Sequence, residues 1–341
     1  MTVTKSLLSR LLAERDWLMA DGATGTNLFD KGLVAGEAPE MWNLERPAEI
    51  RSLYRGAIEA GSDLFLTNSF GGNAARLALH AMQSRAREVN RIAAELAREE
   101  ADRAGRPVVV AGSMGPTGEI FAPLGTLTRE LAVEMFHEQA EGLKEGGVDV
   151  LWVETISAAE EYRAAAEAAT LAGIEWCGTM SFDTAGRTMM GLTPEGLVGL
   201  VATLDNPPVA YGANCGVGAA DLMRTVLDIM AHEPGRPVIA KGNAGIPKFH
   251  GGHIHYDGTP DLMAEYAVMA RDAGVRIIGG CCGTGGEHLR AMRDALETRP
   301  PGPVPGADDV VARLGAFQAA AGPDPDGGGA SRRASRRSRR G

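Results

Sequence analysis

Short runs of apolar residues alternate with longer segments of helical periodicity along most of this chain. The apolar runs predict eight strands, at residues 18–20, 64–67, 107–111, 148–153, 175–181, 209–213, 237–241 and 275–279. The segments between them predict helices at residues 47–60, 74–104, 128–145, 158–172, 194–204, 219–231, 261–273 and 286–297. Strands that alternate with helices predict a parallel sheet, and eight units favour a closed α/β barrel of the (β/α)8, or TIM-barrel, class.

An open, doubly wound sheet of the Rossmann type is the alternative for the same alternation. Two features of the sequence count against it. No G-x-G-x-x-G pattern follows the first predicted strand, and glycine-rich strand ends occur in nearly every unit. The barrel is therefore the favoured fold class.

The composition changes after the last predicted helix. Residues 300–306 are rich in proline and glycine, residues 307–320 predict a short helix, and residues 322–341 are rich in Gly, Ser and Arg. Such a tail cannot bury a core, so we expect it to be disordered. The predicted organisation is a barrel domain at 1–298, a linker with a short helix at 299–321, and a disordered Arg-rich tail at 322–341. A solvated tail is favoured over one that binds RNA or an acidic partner.

The net charge of the chain is −10, although six arginines lie in its last eleven residues. An acidic body disfavours nucleic acid as a partner. No apolar run is long enough to span a membrane, and residues 1–17 lack the pattern of a signal peptide. We therefore expect a cytoplasmic protein. Its four cysteines are too few for a disulfide scaffold and favour a metal-binding or catalytic role.

Polar residues and glycines collect where the predicted strands end. In TIM barrels the active site forms at this edge. Asp21 and Glu154 are candidate catalytic carboxylates and could hold a substrate ammonium group. Backbone N–H groups at residues 22–24 and 112–113 suit a carboxylate. The strand ends are Asp21-Gly22, Thr67-Asn68-Ser69-Phe70, Gly112-Ser113, Glu154-Thr155, Ser181, Asn214-Cys215, Lys241-Gly242-Asn243 and Gly280-Cys281-Cys282.

Three of the four cysteines lie at these ends. Cys215 follows the sixth predicted strand, and Cys281 and Cys282 follow the eighth, among glycines that free the backbone. Three thiolates with an open fourth position predict a catalytic zinc site. Buried packing is the alternative interpretation, and it is favoured for Cys177, which lies within a strand. A thiolate-rich zinc centre suits a substrate thiol, so the site predicts a thiol-containing amino acid as substrate.

A second metal site is a rival interpretation of His250, His253 and His255. These histidines lie in the predicted loop 247–260, which is long for a compact domain. No further carboxylate pattern accompanies them. A mobile lid or docking loop is favoured over a second metal site.

Several segments together resemble the homocysteine S-methyltransferase family, which includes betaine–homocysteine methyltransferase and the homocysteine domain of cobalamin-dependent methionine synthase. The resemblance implies a (β/α)8 barrel with zinc held by Cys215, Cys281 and Cys282. It also implies that Asp21, Gly22, Glu154 and Asn214 surround homocysteine and that methionine is the product. Thr67, at a strand end, is a further candidate for substrate binding. The matching segments are Asp21-Gly22-Ala23-Thr24-Gly25-Thr26, Thr67-Asn68-Ser69-Phe70, Gly112-Ser113-Met114-Gly115-Pro116, Glu154-Thr155, Gly212-Ala213-Asn214-Cys215 and Gly279-Gly280-Cys281-Cys282-Gly283.

The methyl donor is less closely defined by this resemblance. Betaine-using members hold the quaternary ammonium in an aromatic cage. Trp42 and Phe70 stand at matching positions, whereas Gly71 and Thr155 stand where that branch has tyrosines. Tyr256, in the predicted loop 247–260, is a candidate to complete the cage. Betaine or a related methyl-onium compound is the first expectation.

Two alternatives remain for the activity. One is the homocysteine-activating subunit of a split methionine synthase, which takes its methyl group from methylcobalamin on a cobalamin-binding partner protein. The other, of a different class, is a non-catalytic zinc-containing binding subunit. The sequence is also compatible with a homo-oligomer and leaves the oligomeric state open.

Overall fold

A computed structural model describes residues 5–233, 235–246, 248–250 and 253–318, and for residues 248–250 and 253–255 it describes the backbone only. Eight parallel strands form one sheet in the order β1-β10-β7-β6-β5-β4-β3-β2, which confirms the predicted barrel. The eight strands of this sheet are β1 (Leu18–Met19), β2 (Leu64–Leu66), β3 (Val109–Met114), β4 (Val150–Ile156), β5 (Trp176–Met180), β6 (Ala210–Cys215), β7 (Val238–Gly242) and β10 (Ile277–Gly280). Two further strands, β8 (Lys248–His250) and β9 (His253–His255), form a separate antiparallel pair.

Helices separate the strands and pack around the sheet. They are α1 (Leu7–Glu14), α2 (Gly25–Asp30), α3 (Trp42–Glu45), α4 (Pro47–Glu59), α5 (Ala74–Ala78), α6 (Ala86–Asp102), α7 (Arg129–Glu145), α8 (Ala159–Ala172), α9 (Pro194–Ala202), α10 (Ala219–His232), α11 (Pro260–Asp272), α12 (Gly286–Thr298) and α13 (Ala307–Leu314). Predicted caps are present where side chains can reach the first turn. The Thr128 hydroxyl, for example, accepts a hydrogen bond from the Leu131 N–H at the start of α7.

The prediction of one continuous helix at residues 74–104 is wrong, because the structure has two helices separated by a turn. The chain forms α5, then a 3-10 turn at Gln83–Arg85, then α6. Ala81 takes a positive φ of 55°, and the Met82 N–H donates back to the Leu77 carbonyl, which reverses the chain. An alanine-rich composition favours a helix at these positions, but the tertiary structure requires the chain to turn there.

The sheet becomes a barrel at the seam between its end strands, β1 and β2. The Asp63 N–H donates to the Met19 carbonyl at 2.7 Å, and the Asp63 carboxylate accepts from the Met19 N–H at 2.9 Å. At the other end of the seam, the Asp21 carboxylate accepts from the Leu66 N–H at 2.8 Å. Two aspartate side chains therefore supply hydrogen bonds that a regular strand ladder would otherwise make.

Asp63 also anchors this seam to the helices around it. Its buried carboxylate is 2.7 Å from Arg15 and 2.9 Å from Arg293. Removing one member of a buried ion pair leaves its partners unsatisfied. Asp63→Asn is therefore expected to lower the free energy of unfolding by about 2–4 kcal/mol, measured by urea denaturation. Asp228→Asn, at an exposed ion pair with His232, is the control and should change it by less than about 0.5 kcal/mol. An equal effect of both variants would contradict this role of Asp63.

The barrel interior is filled by side chains that alternate along the strands. Ile239 of β7 and Trp152 of β4 lie in the interior cluster, together with Leu8, Leu11 and Leu12 of α1, which covers the amino-terminal end of the barrel. Because side chains on one face recur every two residues, Lys241 and Glu154 come next above them on the same strands. The fold therefore directs these two charged groups toward the carboxyl-terminal end of the barrel.

Two further predictions, both for segments outside the barrel strands, differ from the structure. The predicted loop 247–260 contains the antiparallel pair β8 and β9. The predicted helix 307–320 ends at Leu314, because Gly315 takes a positive φ of 95°. The predicted disordered tail lies outside the described residues. Among the helices of the described ranges, none combines the length and apolar character needed to cross a bilayer.

Candidate active site

The three predicted metal ligands converge at the carboxyl-terminal end of the barrel. The sulfur atoms of Cys215, Cys281 and Cys282 lie within 4.8 Å of one another. The Cys215 and Cys281 sulfurs are 2.8 Å apart. Strands β6 and β10 both pair with β7, so they place the two cysteine segments on either side of it.

The local backbone brings two adjacent cysteines to one point. Cys215 takes a left-handed φ of 59°, which is uncommon for a residue with a side chain. Gly283 has a φ of 77°, and a Cβ there would lie 2.3 Å from the Tyr256 ring. The Asn243 side chain ties the two segments together, accepting from the Cys282 N–H at 3.0 Å and donating to the Gly216 carbonyl at 2.8 Å. Strained backbone of this kind is typical of functional sites.

The pKa values of the three thiols are shifted in different directions by their mutual hydrogen bonds. Hydrogen bonds from Cys215 and Cys281 lower the pKa of Cys282. The hydrogen bond to Cys281 raises the pKa of Cys215. The cluster thus favours one thiolate, and a bound cation would be needed to stabilise all three.

A cavity of about 470 Å³ opens onto this cluster. Part of its lining lies at or just after the barrel strands and is called the inner end here: the three cysteines with Glu154, Lys241, Thr67, Ser113 and Gly22. Another part lies on the helices and loops beyond the strands and is called the outer end: Phe70, Gly71, Glu40, Arg76 and His80. The cavity therefore has room for two small reactants, one beside the sulfurs and one further out.

Glu154 is the predicted catalytic carboxylate that the cavity contains. It accepts a hydrogen bond from the Ser113 hydroxyl at 2.5 Å and is buried. Burial raises the pKa of Glu154 to about 7, and the nearby Lys241 opposes this rise. A buried, cavity-lining carboxylate suits a substrate ammonium group.

Asp21, the other predicted carboxylate, does not line this cavity. Its two oxygens already have partners: one accepts from the Leu66 N–H, and the other lies 2.5 Å from the Lys241 ammonium. Lys241 itself lines the cavity and was not among the predicted site residues. Its side chain is 2 % exposed, and its nitrogen lies 5.7 Å from the centre of the Trp152 ring.

Asn214 lies directly behind the thiols. Its amide nitrogen donates to the sulfurs of Cys215 at 3.4 Å and Cys281 at 3.8 Å. Its amide oxygen accepts from the Thr179 hydroxyl and from the N–H of Thr155, which holds a positive φ of 62°. The structure thus brings Asn214 to the sulfurs, outside the cavity lining.

Thr67 and Gly22 line the inner cavity, as their strand-end positions predicted. The Thr67 hydroxyl accepts from the Ser113 N–H at 3.0 Å, so this N–H already has a partner. Gly22 passes so close to the loop that follows β10 that a Cβ would lie 2.4 Å from the Thr284 carbonyl oxygen. The Ala23 N–H donates to the same oxygen at 3.1 Å. Two of the N–H groups expected to hold a carboxylate are therefore engaged.

The structure separates the two predicted cage aromatics. Phe70 lines the outer cavity. Trp42 is buried away from it, with the Arg46 guanidinium 4.4 Å from the centre of its ring. Tyr256 packs on Gly283 and shares a hydrogen bond with Cys282. Of the three aromatic residues considered for the cage, Phe70 lines this cavity, and Trp42 and Tyr256 do not.

Some site residues escaped the sequence interpretation, and some predictions lie outside the structure. The sequence pattern indicates no role for Lys241 and Asn243 beyond their strand-end positions, and it does not distinguish Thr179 from other strand residues. The side chains of His250, His253 and His255 lie outside the described residues, so their rival metal site stays a prediction. Among the residues that the structure describes, the three cysteines are the one group of His, Cys, Asp and Glu arranged to hold a metal.

A TIM barrel whose cavity is lined by three converging cysteines and a buried carboxylate at the carboxyl-terminal edge has the arrangement of an enzyme active site. The sequence profile of the homocysteine S-methyltransferase family matches residues 18–296. The chain belongs to this family and is a methyltransferase.

Solved structures of one bacterial protein share the fold. The homocysteine methyltransferase MmuM from Escherichia coli, in its metallated form, superposes with a TM-score of 0.69 at 23% sequence identity, over 84% of this chain and 98% of that chain. Its oxidized form gives 0.70 at 23% identity over the same shares, and its apo form 0.64 at 22% identity, over 84% and 99%. At this identity the likeness concerns the fold.

Proposed function

We propose that this protein transfers a methyl group to the sulfur of homocysteine and forms methionine, using zinc held by Cys215, Cys281 and Cys282. The convergence of three sulfurs at the inner end of the cavity carries this proposal. The donor set fits zinc, because soft thiolates select it over magnesium or calcium. Zinc, when bound, supplies the positive charge that lets a substrate thiol lose its proton at neutral pH.

The chain's own residues position the substrate sulfur. Glu154 accepts the substrate ammonium at the inner wall, and the Asn214 amide donates toward the cysteine sulfurs and steadies their charge. Burial of this end excludes water from the reacting sulfur. The sulfur then attacks the donor methyl carbon in line. The thiol proton has by then passed to solvent. The S–C bond forms as the bond between the methyl carbon and the positively charged donor atom breaks, and the electron pair of that bond stays on the leaving group.

The outer cavity supports betaine or a related methyl-onium compound as the donor. The face of Phe70 attracts a cation, and the buried Glu40 carboxylate lies beside it, accepting from the Gly71 N–H at 2.6 Å. Arg76 and His80 lie on the same outer wall and suit a donor carboxylate. A small zwitterion is therefore our first choice.

A second candidate is supported by the surface around the mouth. Large apolar side chains are exposed on the segments that follow β1, β2, β3 and β5: Phe29, Leu79, Ile120, Leu124, Met189 and Met190. Apolar surface of this kind often marks a protein contact. It favours a split methionine synthase in which a cobalamin-binding partner presents methylcobalamin to the cavity.

One assay separates these candidates. Zinc-loaded protein is given homocysteine with either betaine or methylcobalamin, and methionine is measured by mass spectrometry. The proposal expects turnover with betaine alone. Turnover with methylcobalamin alone would establish the second candidate. No methionine with either donor, despite full zinc, would favour the non-catalytic binding subunit.

The positions of the two aromatics give a prediction for the donor subsite. Phe70→Ala is expected to raise the KM for the onium donor at least about 10-fold, because it removes the aromatic face from the cavity. Trp42→Phe should leave this KM within about twofold, because Trp42 lies outside the lining. Steady-state kinetics at saturating homocysteine measures both. A larger effect at Trp42 than at Phe70 would place the donor elsewhere.

A further inference from the structure

Lys241 is a buried cation that the proposed reaction leaves without a role. Its ammonium group can donate three hydrogen bonds. Asp21 is its one hydrogen-bond partner within the described residues, and yet Lys241 lines the inner cavity. Burial of an ammonium group is costly unless its donors are satisfied. Donors therefore remain available at the wall that a substrate would contact.

Lys241 and Glu154 form a charge pattern that matches a zwitterion. Both residues line the inner cavity beside the three sulfurs, and each contributes to the electrostatic environment of the other. One wall thus offers a cation and an anion, and the end of the cavity offers the thiol site. The α-ammonium, α-carboxylate and sulfur of a thiol amino acid require these three kinds of partner.

Two other candidates for the substrate carboxylate already have partners within the fold, and Gly22 and Thr24 contribute only uncharged N–H groups to the lining. The N–H groups of Ala23 and Ser113 already donate to Thr284 and Thr67. Arg76 and His80 lie at the outer end, on exposed positions of the chain. Lys241 is the basic side chain of the inner lining.

Asp21 keeps this lysine charged and in place. Although burial lowers it, the carboxylates of Asp21 and Glu154 raise the pKa of Lys241 above its ordinary value. The backbone around Asp21 is fixed in turn, because the second carboxylate oxygen accepts from the Leu66 N–H across the barrel seam. Asp21 therefore acts on the substrate through Lys241.

We infer that Lys241 binds the α-carboxylate of the thiol amino acid, that Glu154 alone receives its α-ammonium, and that Asp21 is a positioning residue for Lys241. This inference rests on the proposed function, because it takes homocysteine as the occupant of the inner cavity. It assigns a substrate contact to a lysine for which the sequence interpretation had no role. It also moves Asp21 from direct contact to support.

The test compares three thiols that differ in one charged group. Isothermal titration calorimetry measures the binding of homocysteine, of 3-aminopropane-1-thiol, which lacks the carboxylate, and of 4-sulfanylbutanoate, which lacks the ammonium. The zinc-loaded full-length protein is used in each case. The wild type is expected to bind homocysteine about 100-fold more tightly than the amine thiol. Equal affinity for these two would overturn the inference outright.

The variants assign each contact. Lys241→Met is expected to weaken homocysteine about 100-fold and to leave the amine thiol within about threefold, so the preference for a carboxylate disappears. Glu154→Gln, the matched control, should lose the preference for an ammonium group and keep that for a carboxylate. Equal weakening of homocysteine and the amine thiol by Lys241→Met would show a structural role and overturn the inference.

A double variant guards against misfolding. Lys241→Met leaves Asp21 buried and unpaired, which destabilises the barrel. Lys241→Met combined with Asp21→Asn removes both charges and should show the same loss of carboxylate preference. If it keeps that preference, the inference fails. If the wild type binds no homocysteine at all, the proposed function fails as well, and the two failures are thus distinguished.

Discussion

Cys215→Ala is expected to lose the bound metal and to reduce methyl transfer at least about 1,000-fold. The Cys215 sulfur is 2.8 Å from that of Cys281, and it is the proposed ligand on β6. Without it, two adjacent cysteines on one short segment remain, which is too few for a stable tetrahedral site. Zinc content by elemental analysis and methionine formation measure the two losses together.

Cys177→Ala is the matched control for this variant. Cys177 is fully buried in the barrel interior on β5 and lies outside the metal cluster. Its replacement should cost about 1 kcal/mol of stability and leave zinc content and turnover near those of the wild type. Full zinc and activity in Cys215→Ala, or equal losses in the two variants, would refute the site.

Glu154→Gln is expected to raise the KM for homocysteine about 100-fold, because a neutral amide replaces the carboxylate proposed to bind the substrate ammonium group. The amide has nearly the same shape as the carboxylate, so the barrel should remain folded. A smaller change in kcat than in KM would indicate a loss of binding. An unchanged KM would exclude Glu154 as the ammonium contact.

The pH dependence of the same constant gives an independent check. Burial raises the pKa of Glu154 to about 7, so the carboxyl group is mostly neutral below that pH and ionised above it. The KM for homocysteine should therefore rise about tenfold as the pH falls from 8 to 6. Glu154→Gln reports the changes from other groups, such as the thiols. A wild-type profile parallel to that of Glu154→Gln would show that this carboxyl group is not titrating.

The repeating pattern of the barrel could be predicted from the sequence, because each buried parallel strand consists of a short run of apolar residues. The apolar runs at residues 64–67 and 148–153 contain or overlap β2 and β4 in this way. The seam could not be predicted, because Asp63 and Met19 pair through tertiary structure. The reversal near Ala81 was missed for a similar reason, since alanine favours a helix and the turn depends on the surrounding fold.

The candidate site divides along the same line. The sequence predicts all three cysteines of the cluster, because Cys215, Cys281 and Cys282 lie at glycine-rich strand ends, and the structure brings their sulfurs together. Lys241 gave no comparable signal, because a single lysine at a strand end is ordinary. The importance of Lys241 depends on its surroundings in the fold. Its partner Asp21 follows β1, and the cavity that Lys241 lines is formed by residues from several strands and loops of the barrel. Likewise, the sequence predicts a substrate contact for Asp21, because only the fold brings its partners Lys241 and Leu66 to it.

Zinc K-edge X-ray absorption on the wild-type protein tests the central claim most directly. The account predicts three sulfur neighbours without substrate, from Cys215, Cys281 and Cys282, and a fourth after homocysteine is added. Serine in place of homocysteine should leave the spectrum unchanged. A zinc shell without sulfur, or a sulfur count that homocysteine does not change, would contradict the account.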